Sequence, residues 1–399
     1  MPSESQIPIA SQAAAQRFAA RLALFYATLF GLVGTHLPFF PLWLKAIGID
    51  ASFIGIITAV PSLTRFTVLP FITASAEKRH ALRGALIATA FLSALGFVVI
   101  GTQHQALAVL LVYATTATLW TPMTPLTDAY ALKGVARYGV NYGPMRLWGS
   151  AAFVAGALIC GLLVDVIAAK HLIWVIAAVA VLGAVVSLGL QPLDVPAAAP
   201  AMPSNSIALL RDPGFVAIIV AAALIQGSHA AYYTFASIAW QNAGLGGLTI
   251  AALWALGVGA EIGVFAVSPR FTVSPVWLVV IAALSAVARW VVTAQEPPLA
   301  VLAMVQLAHG LTFGLTQIGT MGLLLHHVPH TIMARAQGYL TACTGIITSL
   351  ASVLSGAIYA RHGQGVYYLM AAMALVSAIV MWLARHRLQH HPHSAGSGE

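Results

Sequence analysis

Apolar runs of about 20 residues recur roughly every 30 positions between residues 20 and 384, and this spacing restricts the fold more than any other property of the chain. Each run is long enough to cross the ~30 Å hydrocarbon layer of a bilayer as a helix. A strand would leave backbone groups without partners in hydrocarbon, and a β-barrel would show shorter segments alternating apolar and polar residues. The reading is therefore twelve helical spans: 20–43, 53–73, 84–101, 106–128, 144–165, 171–190, 214–237, 249–268, 275–293, 298–325, 336–359 and 366–384. Composition agrees: 60% of the 399 residues are hydrophobic and 7% charged, against about 25% charged in soluble domains. Mean hydropathy is +0.90.

The formal net charge of +8 does not point to nucleic acid, because the basic residues are scattered between apolar runs and form no stripe. With the N-terminus placed in the cytoplasm, Arg17, Arg21, Lys78, Arg79, Arg83, Lys133, Arg137, Arg211, Arg270, Arg335, Arg385 and Arg387 fall on the cytoplasmic side, with Arg146 at its edge. Lys45, Lys170 and Arg361 fall on the other, the asymmetry of the positive-inside rule. Both termini are expected in the cytoplasm. The proline-containing stretch 191–213 reads as an extended linker. The expected domains are a cytoplasmic segment 1–19, a six-helix bundle 20–190, the linker 191–213, a second six-helix bundle 214–384 and a disordered cytoplasmic tail 385–399. The halves echo one another: Trp43, Lys45 and Ala46 after the first run match Trp240, Asn242 and Ala243 after the seventh, at an offset of 197. Internal repeats are how many carriers are built.

Charges within the spans are few. Glu261 lies about twelve residues into the eighth run, roughly 18 Å deep. A charge there costs about 2.5–3.5 kcal/mol on the most lenient scale, so the carboxylate must be protonated, paired or facing water. Either it takes part in proton coupling or it neutralises an intramembrane arginine. His309, at similar depth in the tenth run, titrates near neutrality in its free form and is a candidate proton relay, a substrate contact or a packing residue. Arg289, nearer the outer face, can reach inward or snorkel outward. Arg65 is as deep as Glu261 and needs a carboxylate, a carbonyl or an anionic ligand. Near the inner surface, Asp128 ends the fourth run and Arg146 begins the fifth; Arg146 either binds an acidic substrate through its planar fork or anchors the interface.

Trp43 and Trp240 read as interfacial anchors, whereas Trp120, Tyr233 and Phe313 lie deeper in their runs or beside polar neighbours. Gly31 and Gly34, Gly257 and Gly259, and Gly310 and Gly314 permit close helix approach, while Pro122 and Pro125 can break the fourth helix. Cys160 and Cys343 lie in apolar runs of opposite halves and read as packing residues. No zinc-protease helix motif, nucleophile elbow or phosphate loop is present, and the chain is expected to be neither an enzyme nor the holder of a metal or cofactor.

The strings PFFPLWLKAIG (38–48), PLTDAY (125–130), YGPMRLWGS (142–150), ALWALGVGAEIGVF (252–265) and QLAHGLTFG (306–314) resemble the phenylpropionate permease branch of the major facilitator superfamily, which is related to oligosaccharide and nucleoside proton symporters. The resemblance implies an all-α membrane protein of two six-helix bundles. It also implies that Glu261, Arg289 and His309 couple a proton, as a Glu, an Arg and a His on helices 8, 9 and 10 do in the oligosaccharide symporters, with Thr312 standing where those carry a further carboxylate. Asp128 and Arg146 resemble a cross-helix ion pair of the same relatives. The superfamily's loop between helices 2 and 3 carries Gly and Asp; here Glu77 stands in for the Asp.

The expected function is secondary active transport by alternating access: proton symport of a small organic acid, aromatic acids included. A neutral sugar or nucleoside, or export of hydrophobic compounds, are the alternatives. Substrate binding is expected at Arg65, Asp128, Arg146, Trp120, Tyr233 and Phe313. The expected partners are a small molecule, a proton and the lipid bilayer, with no nucleic acid, for a monomer that passes many times through a bacterial inner membrane.

Overall fold

A computed structural model describes residues 12–72, 81–193, 206–329 and 332–389. The loop carrying Glu77, Lys78 and Arg79, most of the linker and the histidine tail beyond Gln389 lie outside the described residues. Within them the regular structure is helical. The first half contains α1 (Gln12–Ala46), α2 (Ala51–Thr67), α3 (Leu82–Gly101), α4 in two segments (Ala106–Trp120 and Met123–Tyr138), α5 (Tyr142–Val164) and α6 (Leu172–Ser187). The second contains α7 in two segments (Pro213–Gly227 and Ala230–Asn242), α8 (Gly247–Val267), α9 (Pro275–Ala294) and α10, whose segments Leu299–His309 and Leu315–His327 flank a π-turn at Gly310–Gly314. The chain closes with α11 (Met333–His362) and α12 (Val366–Gln389). Among the described residues, ten helical stretches are long and apolar enough to cross a membrane. One of them, Met333–Gln389, contains both α11 and α12, and α2 is a shorter apolar helix, so the count of crossings is twelve.

Most span centres fall where hydropathy puts them, and the differences have local causes. α4 runs on to Tyr138 because a break at Thr121 and Pro122, where the proline removes an amide donor, allows the helix to restart. α7 breaks at Ser228 and His229, whose side chains both turn back on the Ile225 carbonyl, at 2.6 and 2.9 Å. Those contacts occupy a helical acceptor that a continuous helix would give to its own backbone.

The packing repeats. α1 lies against α5 and α6 as α7 lies against α11 and α12, and α3 meets α6 as α9 meets α12. This makes two six-helix bundles, α1–α6 and α7–α12, joined mainly along α2–α11 and α5–α8. Both seams depend on missing side chains. A Cβ on Gly247 would sit 2.3 Å from the Gly161 carbonyl oxygen, and one on Gly55 would sit 2.7 Å from the Gly356 Cα. Of the glycines noted in the sequence, Gly34 and Gly310 stand against neighbouring backbone, but a Cβ on Gly259 would meet nothing within 4 Å. Cys160 and Cys343 are free thiols packed in opposite bundles. The outer surface is apolar: Leu107, Leu111 and Leu350 each keep 60% of their area exposed, a pattern that suits lipid and not water.

Candidate functional site

Between the bundles lies a cavity of about 400 Å³, lined by α1, α2 and α4 on one side and α7, α10 and α11 on the other. Much of the lining is aromatic: Phe40 and His36 from α1 and Tyr113 and Trp120 from α4, with Tyr233 and Phe313 from the second bundle. The lining also carries hydroxyls, among them Ser62, Thr344 and Thr348. The charged side chain in the lining is Arg65, which is exposed to the cavity and has no carboxylate within 4.0 Å among the described residues. Four residues expected at the substrate, Arg65, Trp120, Tyr233 and Phe313, line this cavity.

Asp128 and Arg146 do not. Asp128 accepts hydrogen bonds from the hydroxyls of Tyr26 (2.6 Å) and Tyr142 (2.9 Å). The Arg146 guanidinium lies 3.9 Å over the Phe30 ring and 5.7 Å from that of Tyr26. The cross-helix ion pair expected of them is therefore replaced by tyrosine hydroxyls for the acid and aromatic faces for the base.

Behind the cavity, α8, α9 and α10 bring Glu261, Arg289 and His309 together. Arg289, whose orientation the sequence leaves open, points inward and is 2% exposed. It donates to His309 Nδ1 at 2.9 Å, to Thr312 Oγ1 at 3.2 Å and to Gln306 Oε1 at 3.2 Å, and its guanidinium stacks near Tyr232 and Trp290. An arginine has no acceptor, so Nδ1 of His309 must hold a lone pair and the ring proton resides on Nε2. That nitrogen faces the Glu261 carboxylate at 3.9 Å. The same logic fixes His229. Its Nδ1 meets the Ile225 carbonyl and must be the donor, so in the neutral ring Nε2 accepts from the Thr312 hydroxyl at 3.1 Å. A directed chain results, from Arg289 through Thr312 to His229, whose ring stacks on Tyr233 at 5.8 Å and 26°. Tyr233 lines the cavity.

His36, His229, Tyr113, Gln226 and Gln306 are not singled out by the sequence reading, although a histidine inside an apolar run is itself a signal of the kind that marks His309. The π-turn that follows His309 is also unannounced; such turns gather at functional sites.

Two six-helix bundles around a central cavity, with ionisable groups buried beside it, define a membrane transporter, and the chain belongs to the major facilitator superfamily: the model of the MFS_1 like family matches residues 19–370. Among curated relatives, the chain is 32% identical over 365 residues to the "Probable 3-phenylpropionic acid transporter" of Escherichia coli (strain K12), covering 89% of this chain and 94% of that one. It is 24% identical over 364 residues to the "Maltose permease" of Geobacillus stearothermophilus, covering 90% and 92%. Among solved structures, the nucleoside transporter NupG superposes with a TM-score of 0.81 at 15% identity, covering 92% of this chain and 99% of that one. A bacterial homologue of the human lysosomal transporter Spinster, inward-facing and unoccupied, gives 0.74 at 14% identity, covering 96% and 100%. These relatives are transporters and not enzymes, and the chain is a multi-pass membrane transporter of a small molecule.

Proposed function

We propose that this transporter is a proton symporter for a small aromatic carboxylic acid, monomeric and resident in a bacterial inner membrane with both termini in the cytoplasm. One observation carries the reading: the cavity presents a guanidinium, Arg65, with no carboxylate beside it, together with a wall of aromatic rings. A guanidinium facing a cavity favours an anion that can accept two parallel hydrogen bonds, and the rings of Trp120, Tyr233 and Phe313 offer flat faces to an aromatic body. The phenylpropionate transporter among the relatives supports the same class.

Glu261 is the proton acceptor in this reading. Deprotonated, it attracts the Nε2–H of His309; protonated, it releases that ring, and His309 Nδ1 is the site Arg289 holds. The proton state of α8 thus reaches α9 and α10, and through Thr312 and His229 reaches Tyr233 at the cavity. The test is transport by purified protein in proteoliposomes with Glu261→Gln, which fixes the side chain in a neutral form. Counterflow of acid should persist while accumulation driven by an inward proton gradient falls to an internal-to-external ratio near one. Normal gradient-driven accumulation by this variant would remove Glu261 from the coupling step.

A second reading, symport of a neutral sugar or nucleoside, is favoured by the hydroxyls in the cavity lining and by the maltose permease relative. Competition for uptake separates the two: aromatic acids should compete at concentrations where maltose and uridine do not.

A further inference from the structure

We infer that His36 recognises a hydroxyl group on the ring of the aromatic acid, so that this carrier selects ring-hydroxylated acids over their unsubstituted parents. The inference rests on the organic-acid reading above and deepens it. Three histidines are buried inside the membrane region, and His36 differs from the other two. His229 uses both ring nitrogens, on Ile225 and Thr312, and His309 has both nitrogens turned to Arg289 and Glu261. His36 uses only Nε2, in a 3.1 Å contact with the Tyr113 hydroxyl. Its Nδ1 makes no hydrogen bond to the described residues and is not shut off from the space around it. Of the three, it is His36 that lines the cavity.

His36 is 7% exposed, and aromatic neighbours enclose its ring. Phe40 stacks on it at 4.6 Å and 20°, Tyr113 lies nearly parallel at 5.8 Å and 10°, and Trp120 meets it edge-on at 4.6 Å. A polar atom that opens on the surrounding space, in a side chain otherwise enclosed by rings, takes its partner from a ligand or water there. The chemistry of the surroundings narrows the ligand. A second carboxylate beside His36 would have aromatic rings and no cation for company, whereas a substrate anchored by its carboxylate on Arg65 has its ring to lay against this wall. A hydroxyl on that ring meets the spare nitrogen in either sense. When Tyr113 donates to Nε2, Nδ1 carries the proton and donates to the substrate oxygen. When the Tyr113 hydroxyl rotates and accepts from Nε2–H, Nδ1 accepts from the substrate hydroxyl.

The experiment is isothermal titration of the purified full-length protein with 3-phenylpropionate and its 2-, 3- and 4-hydroxyphenyl analogues. At least one hydroxylated isomer should bind about tenfold more tightly than the parent acid, the worth of one hydrogen bond in a partly buried site. His36→Phe should bring that ratio close to one, and His36→Gln, which restores a hydrogen-bonding group, should keep part of it. Equal affinities for all four acids in the unmodified protein, or a ratio that survives His36→Phe, would overturn the inference while leaving the organic-acid reading intact. Binding of none of the acids, with maltose or uridine bound instead, would overturn both. The unmodified protein and His36→Gln decide the matter even where His36→Phe does not fold.

Discussion

A guanidinium held in a cavity between two bundles has given up part of its hydration, and without a carboxylate at Arg65 the compensation must come from elsewhere. An anionic cargo supplies it, and this gives the strongest prediction at the level of single residues. Arg65→Gln should weaken binding of an aromatic acid by roughly 10- to 100-fold, the range for a lost charge-assisted hydrogen bond. Arg65→Lys should fall between, because it keeps the charge and loses the planar fork. Titration calorimetry with the acid reads this directly, and equal affinities across the three proteins would exclude Arg65 as the anion site. Glu261, Arg289, His309 and Arg65 were legible in the sequence because a charge or a titratable ring within an apolar run needs a reason to be there. Contacts supplied by unflagged side chains of other helices were not legible: Tyr113 is 77 positions from His36, and Tyr26 is 102 positions from Asp128. For the same reason the cross-helix pair that the resemblance implies for Asp128 and Arg146 does not form: the hydroxyls of Tyr26 and Tyr142 meet the acid, and the Phe30 face meets the base.

At the level of elements, the hydropathy of a run states that a helix exists but not where it breaks. Pro122 announces the interruption of α4. That of α7 depends on Ser228 and His229 competing for the Ile225 carbonyl, a contact ordinary enough in helices that sequence gives no warning of a break. The start of α7 is better defined. Asp212 caps it, accepting from the amides of Gly214 (2.9 Å) and Phe215 (3.3 Å), and His327 at the end of α10 reaches the same carboxylate. Partial burial pushes the Asp212 carboxyl up, but His327 and the two amides outweigh it and hold the group below its ordinary value of 3.8. A carboxylate depressed in the folded state stabilises the fold above its unfolded value and loses that contribution as pH falls through the folded one. Asp212→Asn keeps an N-cap and removes the charge. It should therefore lower the melting temperature in detergent at pH 7, by an amount corresponding to about 1 kcal/mol or less for so exposed a group. The two proteins should converge as the pH is taken below 3.8. A difference that stays constant through that range would mean that the ionised Asp212 contributes nothing to stability.

At the scale of the molecule, the echo between Trp43 to Ala46 and Trp240 to Ala243 acquires a geometric meaning. Positions related by a two-fold axis can touch only if they lie beside it, and Lys45 donates to the Asn242 side chain across an offset of 197 residues. The ends of α1 and α7 therefore meet close to the axis relating the bundles. At the same end of the molecule, Asp165 at the end of α5 accepts from the amides of Gly247 (2.7 Å) and Leu248 (3.3 Å) at the start of α8. A carboxylate on a helix N-terminus is stabilised by the dipole there, so this contact ties one bundle to the other as the Lys45–Asn242 contact does. Substrate that enters the cavity between α1 and α7 from this end must break the Lys45–Asn242 tie, since both helices line the cavity. A carrier with Lys45→Cys and Asn242→Cys, in a background of Cys160→Ala and Cys343→Ala, should lose uptake when the two thiols are bridged by a short bis-maleimide. Each single-cysteine carrier treated with the same reagent should continue to transport. Undiminished uptake by the bridged protein would show that α1 and α7 need not separate here, and that substrate reaches Arg65 by a route that leaves these helix ends together.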